Sequence, residues 1–211
     1  MKVRILGTSL LEKYWQKKGL NFGEVENSLG HPHRKLLIEK ILKYNPESIL
    51  EIGCGWGPNL FLLAKKLPKA KIEGIDINGK AVETGKEVFQ KNNIENIRLF
   101  VGKADNLDSF KDKSFDIVFS DATLMYIGPD KIKRTIKQIF ENCQKAIILI
   151  EWHISGKQDI YDAHIGVWKK NYLNLLERFI SSEKISLTKI TKEMWPDKNW
   201  QKWGYLTEII L

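Results

Sequence analysis

The stretch SILEIGCGWGPN, Ser48 to Asn59, decides the fold: a short apolar run ends in glycines at 53, 55 and 57, and an amphipathic segment follows. A strand that ends in a glycine-rich turn and leads into a helix is shared by several nucleotide-binding folds, in which the backbone passes close to a ligand. From Ser48 onward the alternation repeats. The apolar runs SILEI, KIEGIDI, IRLFV, FDIVFSD and KAIILIEW are separated by the helically spaced stretches NLFLLAKKL, KAVETGKEVFQKN and KIKRTIKQIFENC. That order predicts βαβ crossovers, hence an α/β fold with a Rossmann-like, doubly wound, mostly parallel sheet. After KAIILIEW come a polar loop, a helical stretch near 163–180, and two closing apolar runs, KISLTKITKEMW and GYLTEIIL, separated by PDKNWQKW. Runs so closely joined pair antiparallel. The expected sheet therefore has seven strands: five parallel ones and a C-terminal hairpin. Residues 1–47 read as two helices joined by GLNFGEVENSLGHPHR, an N-terminal cap on a single domain over 1–211.

Composition sets the bounds. A chain of 211 residues, 43% apolar and 28% charged, suits one soluble globular core. No apolar run approaches the roughly 20 residues of a membrane span. The N-terminus MKVRILGTSLLEKYWQ lacks the long apolar core of a signal peptide, so a cytoplasmic protein is expected. The net charge of +8 would suit a nucleic-acid partner, but the lysines are spread over helix faces rather than gathered in one patch. Cys54 and Cys143 form neither a disulfide framework nor a metal signature, and Cys54 reads as a small buried residue rather than a nucleophile.

The glycine turn is poorly suited to a pyrophosphate. Where a dinucleotide turn needs its third glycine stands Pro58, which has no N–H to offer, and Trp56 adds bulk where a phosphate would need room. Gly53, Gly55 and Gly57 instead make a closely packed GxGxG loop, suited to a ligand without phosphates. Asp76 ends the second apolar run, in KIEGIDIN, 21 positions after Gly55, where a carboxylate can accept both hydroxyls of a ribose. Together they point to a ligand built on adenosine.

At these residues the chain resembles the class I S-adenosylmethionine-dependent methyltransferases. LEIGCGWG resembles their first motif, GIDIN the ribose motif, GKADNLDSF the segment beside adenine, and FDIVFSDATLMYI the fourth-strand motif. The resemblance implies S-adenosyl-L-methionine as cofactor and S-adenosyl-L-homocysteine as product. It places Gly53, Gly55 and Gly57 along the methionine portion and Glu51 near the ammonium, unless Glu51 only orients the loop. Asp76 would bind the ribose, Ile77 would pack on adenine, and Asp105 would accept from the adenine amino group. Asn106 stands beside Asp105 or caps a short helix. Cys54, Asn59, Ala104 and Ser120 complete the expected cofactor set by their places in these motifs.

The acceptor is less determined. SDATLMYI lacks the paired prolines of transferases acting on base or glutamine amides, and resembles small-molecule enzymes in which Leu124, Met125 and Tyr126 face the acceptor. His153, just past the fifth strand, is the candidate general base because imidazole titrates near neutral pH; a histidine merely hydrogen-bonded in its loop is the plainer alternative. Asp121 is the second catalytic candidate, or a loop anchor. His31, His33 and Arg34 could hold an anionic group of the acceptor, or the histidines could cap a helix, and Trp152 stands at the same edge. A metal site from His31, His33, His153 and His164 depends on folding, and none is expected. The leading expectation is O-methylation of a small molecule. The alternatives are an RNA methyltransferase and a non-catalytic S-adenosylmethionine-binding module.

Overall fold

The computed structural model describes residues 8–19, 27–110, 114–156, 159–164 and 166–211. One seven-stranded sheet runs through the molecule in the order β3-β2-β1-β4-β5-β9-β8. Strands β1 (Ser48–Ile52), β2 (Lys71–Asp76), β3 (Ile97–Val101), β4 (Phe115–Asp121) and β5 (Cys143–Trp152) are parallel. β9 (Gly204–Ile210) runs antiparallel between β5 and β8 (Ile185–Lys189), so the mostly parallel α/β sheet with its C-terminal hairpin is as the sequence predicts. The inner strands are continuous apolar runs because both faces are covered. Ile49, Ile117 and Ile148 pack toward helices α2 (His33–Leu42), α3 (Pro58–Lys66) and α4 (Gly79–Lys91), whereas Leu50, Val118 and Leu149 pack toward α5 (Ile132–Glu141) and α6 (Tyr172–Leu176). Among the described residues no helix is long and apolar enough to cross a membrane.

The N-terminal segment contributes α1 (Thr8–Lys17) and α2; its residues 1–7 and 20–26 lie outside those described. The helical expectation for 163–180 needs correction. Among the described residues only Tyr172–Leu176 forms an α-helix there, started by the Asn171 side chain accepting from the Asn174 N–H. Before it, β6 (Ile160–Asp162) and β7 (Val167–Lys169) make a small antiparallel ribbon, and Gly166 turns at φ +76°. Ile165 lies outside the described residues. The PDKNWQKW connection in turn holds α7 (Lys198–Trp203), capped by the Asp197 carboxylate on the Asn199 and Trp200 N–H groups.

Strand order reverses between β1 and β4, so the loops leaving their carboxyl ends diverge and open a crevice. Open α/β sheets bind ligands at this switch point. Glu51, Asp76, Asp121 and Glu151 all stand at or next to a strand's carboxyl end.

Candidate active site

The glycine turn forms the floor of the crevice. Gly53 and Gly57 sit at φ +74° and +86°, the left-handed region that L side chains avoid. At Gly53 a Cβ would also lie 2.1 Å from Thr123 Oγ1, so the turn can approach the fourth-strand segment only without a side chain. Pro58 opens α3 as its first residue. Two adjoining cavities, of about 280 and 260 Å³, share Gly53, Gly55 and Asp121.

The larger cavity runs along β2 and the loop after β3. Asp76, Ile77, Ala104 and Asp105 line it, together with Tyr126 from the turn after β4. Asp76 accepts from the Gly55 N–H at 2.7 Å and the Asn78 N–H at 2.8 Å, so the carboxylate also braces the glycine turn. Burial pushes its pKa up, although these backbone donors pull it back. Helix α1 forms the opposite wall with Leu11, Glu12, Trp15 and Lys18. Trp15 packs edge-on against Tyr126, at 4.7 Å between ring centres. Glu12 pairs with Lys103 at 2.9 Å and with Lys131, which reaches Asp105 at 3.2 Å; this ionic group pins α1 to the sheet. Leu11, Glu12 and Lys18 could not be placed from the sequence because an amphipathic helix does not announce which partner its apolar face covers.

The smaller cavity is lined by Ser28, Arg34, Glu51, Cys54, Asn59 and Asp121, among others. Asn59 Nδ2 donates to Glu51 Oε1 at 2.7 Å and to Asp121 Oδ2 at 3.0 Å. His33 Nε2 donates to Asp121 Oδ2 at 2.7 Å, and Arg34 reaches the same oxygen at 3.3 Å while also donating to Asn59 Oδ1. Burial alone would raise the Asp121 pKa, but His33, Arg34 and Asn59 outweigh it and hold the carboxyl at about 2. Glu51 is different: burial pushes it well above the usual carboxylate range, and the Asn59 hydrogen bond and Arg34 only partly offset that. Glu51 Oε2 and Asp121 Oδ1 are buried without a hydrogen-bond partner. Glu51 lines the smaller cavity and Asp121 both, and buried polar atoms left unpartnered there suit a cationic or hydrogen-bonding ligand. That fits the positively charged methionine end of S-adenosylmethionine, with the Asp76 cavity left for its nucleoside.

Several expected residues are placed elsewhere. His153 lines neither cavity: it is buried, its Nδ1 accepts the Tyr172 N–H at 3.2 Å, and its ring meets Tyr205 edge-on. The plainer alternative, a histidine bonded in its loop, describes its surroundings. Ser120 is buried and donates to Glu151, while Met125 and Trp152 are core residues, Trp152 packing on Trp200. Asn106 Oδ1 accepts the Asp108 N–H, next to a short 3-10 turn. His33 is buried, stacked on Trp195 at 4.1 Å and in contact with His31, so these histidines back Asp121 rather than line a cavity. Cys54 is buried and its thiol pKa raised, chiefly by burial. Among the described residues no three His, Cys, Asp or Glu side chains group as a metal site. Glu151 and Lys170 belong to none of the motifs; for Glu151 a carboxylate inside the run KAIILIEW was the available signal.

Known proteins resemble the chain in sequence and in fold. Residues 45–208 match the family model described as a methyltransferase domain. The ribosomal protein L11 methyltransferase of Dictyoglomus thermophilum is 36% identical over 57% of this chain and 38% of its own length. A malonyl-(acyl-carrier protein) O-methyltransferase of Priestia megaterium is 29% identical over 59% of this chain and 43% of its own length. The chain thus spans less than half the length of these two curated relatives. Among solved structures, the plantazolicin methyltransferase BpumL in complex with S-adenosylhomocysteine superposes with a TM-score of 0.64 at 16% identity, covering 99% of this chain and 97% of that one. Magnesium protoporphyrin IX methyltransferase from Synechocystis, with bound S-adenosylmethionine, gives 0.65 at 11% identity and 96% coverage of both chains. With its glycine turn, its sheet and the family match over most of its length, the chain belongs to the class I S-adenosylmethionine-dependent methyltransferases.

Proposed function

We propose that this enzyme methylates a hydroxyl oxygen of a small molecule with an apolar or aromatic body, working as one domain with α1 and α2 as its cap. The observation that carries the reading is Asp121: an ionised carboxylate, buried, with one oxygen unpartnered, at the junction of the two cavities. S-adenosylmethionine supplies a methyl group made electrophilic by its positively charged sulfur. In this reading Asp76 takes the ribose hydroxyls, Ile77 and Asp105 flank the adenine, and Glu51 faces the ammonium. Arg34 passes from the acceptor to the cofactor's carboxylate, because it lines the smaller cavity beside Glu51 and Asn59.

Asp121 then selects the nucleophile. Its charge repels an anionic acceptor. It would hold an amine as the ammonium ion, which has no lone pair to offer, whereas a hydroxyl donates to Oδ1 and keeps its lone pairs. As the C–O bond forms the hydroxyl oxygen must shed its proton; Asp121 Oδ1 can take it and, with a pKa of about 2, pass it on to water, so the carboxylate orients the acceptor and stabilises the positive charge growing on its oxygen. In this reading the larger cavity holds the nucleoside at its Asp76 end and leaves its Asp121 end to the acceptor, whose apolar body would lie against Trp15, Tyr126 and Ile127. The test is release of S-adenosylhomocysteine against pools of hydroxylated small molecules, amines, peptides and RNA. Turnover with the hydroxylated pool is expected; turnover confined to amines, peptides or RNA would overturn the reading.

A further inference from the structure

The turn that carries the cavity wall after β4 has an unusual support. Asp121, Ala122, Thr123, Tyr126 and Ile127 all line the larger cavity, and Ala122 sits at φ +55°, a left-handed conformation that strains a residue with a Cβ. Such a backbone persists only where its surroundings over-determine it. Here the main brace is one carboxylate from the neighbouring strand. Glu151 Oε1 accepts from Ser120 Oγ at 2.8 Å and from the Thr123 and Leu124 N–H groups at 3.0 and 2.8 Å; Oε2 accepts from the Met125 N–H at 2.9 Å. Lys170 Nζ donates to the Leu124 carbonyl at 3.0 Å. Both side chains are buried, and neither lines a cavity. Burying an acid and a base together is costlier than burying apolar side chains of the same size, so stability alone gives no reason for the pair.

We infer that Glu151 and Lys170 are positioning residues that hold the turn from Asp121 to Tyr126 in its strained, ligand-ready form. Glu151 gathers three consecutive N–H groups and Lys170 holds the Leu124 carbonyl among them, so the two fix the donors and an acceptor of the same turn. The inference rests on the reading that the larger cavity takes the cofactor. It is independent of the acceptor.

The test uses the full chain with S-adenosylhomocysteine as probe and two near-isosteric variants. Glu151→Gln keeps an oxygen for Ser120, Thr123 and Leu124 but turns an NH₂ toward the Met125 N–H. Lys170→Met removes the donor to Leu124 and leaves the carboxylate in place. Amide exchange at Thr123–Met125 should rise at least about 10-fold in each variant while β1 amides stay protected. S-adenosylhomocysteine affinity should fall about 5- to 10-fold, the effect of roughly one lost hydrogen bond. The double variant should lose no more affinity than the weaker-binding single one, because the two act on one turn. If Glu151→Gln does not fold, Lys170→Met decides alone. Unchanged exchange in the turn would overturn the inference, and so would faster exchange with affinity within about 2-fold of the parent. A parent protein that fails to bind the probe would overturn the cavity reading and this inference together. That result is distinct from one in which parent and variants bind alike.

Discussion

Two buried carboxylates, one at the end of β4 and one near the end of β5, illustrate how partners rather than depth set the charge of a group. Asp121 and Glu151 are both almost out of solvent, yet Asp121 is held at about 2 and Glu151 is pushed up to about 7. Burial penalises the charged form of each. Around Asp121 it is outweighed by His33 and Arg34 with help from Asn59, whereas around Glu151 the donors are neutral backbone N–H groups and one hydroxyl. Neutral donors stabilise an anion less than charged ones do. Asp121 keeps an oxygen free at the cavities, and Glu151 spends both of its oxygens inside the protein. The first is equipped for a ligand and the second for the chain.

The largest effect should come from breaking the Asp121 side. Asp121→Asn leaves the positive charge of Arg34 and the His33 donor without their anionic acceptor, and loss of one partner from a buried charged cluster typically costs about 3–5 kcal/mol. Urea unfolding should report that loss, and turnover with the acceptor found by the screen should fall about 10²-fold or more. A variant as stable and as active as the parent would make Asp121 a bystander.

Next comes Asp76, whose carboxylate braces Gly55 and Asn78 while facing the larger cavity. Asp76→Ala should weaken S-adenosylhomocysteine binding by about 1.5–3 kcal/mol, the range for hydrogen bonds involving a charged group. Calorimetry that finds parent-like affinity would move ribose recognition elsewhere.

The two carboxylates should also answer pH in opposite directions. The folded Asp121 pKa lies below its ordinary 3.8, so its stabilisation is complete above that value and is lost as pH falls through about 2. The amount is about 2 kcal/mol, absent from Asp121→Asn. For Glu151 the folded pKa lies above its ordinary 4.5, so stability falls as pH rises from 4.5 through about 7. Lys170, whose pKa burial pushes down to about 7 against the pull of Glu151 and Asp159, returns stability between about 7 and 10.5. Denaturant titrations across this range should show a shallow minimum near neutrality in the parent and a flatter curve in the Glu151→Gln/Lys170→Met double variant. An unchanged curve would mean that the pair does not titrate in the folded protein.

The smallest effect on methyl transfer belongs to His153→Ala. The ring's Nδ1 is already occupied by the Tyr172 N–H and lies outside both cavities, so turnover should stay within a few-fold of the parent. Stability should drop by about 2–4 kcal/mol, because the buried Tyr172 N–H loses its acceptor and the ring leaves a cavity beside Tyr205. A loss of turnover beyond about 10²-fold, with S-adenosylhomocysteine affinity intact, would return His153 to the role of general base.

The amino-acid sequence by itself determined what depends on neighbours along the chain. Continuous apolar runs at β1, β2, β4 and β5, alternating with amphipathic segments, require a parallel sheet, because only strands covered on both faces can be apolar throughout. The GxGxG turn with Pro58 behind it, and the carboxylates closing β2 and β4, sit at strand ends that any such sheet gathers along one edge, so Asp76 and Asp121 were legible. Pairings between distant segments were not. His33 and Asp121 stand 88 positions apart, Lys170 and Leu124 46 apart, and nothing in the spacing of either segment encodes the other. The same holds for α1, whose apolar face could have covered any part of the sheet, and for His153, whose place after β5 suggested the crevice until the chain from β6 to α6 folded against it. Periodicity assigns a side chain to a face of its own strand or helix. Which charged, hydrogen-bonding or aromatic group meets it there, and hence whether a carboxylate is ionised for a ligand or spent on a turn, is decided only when the whole chain has packed.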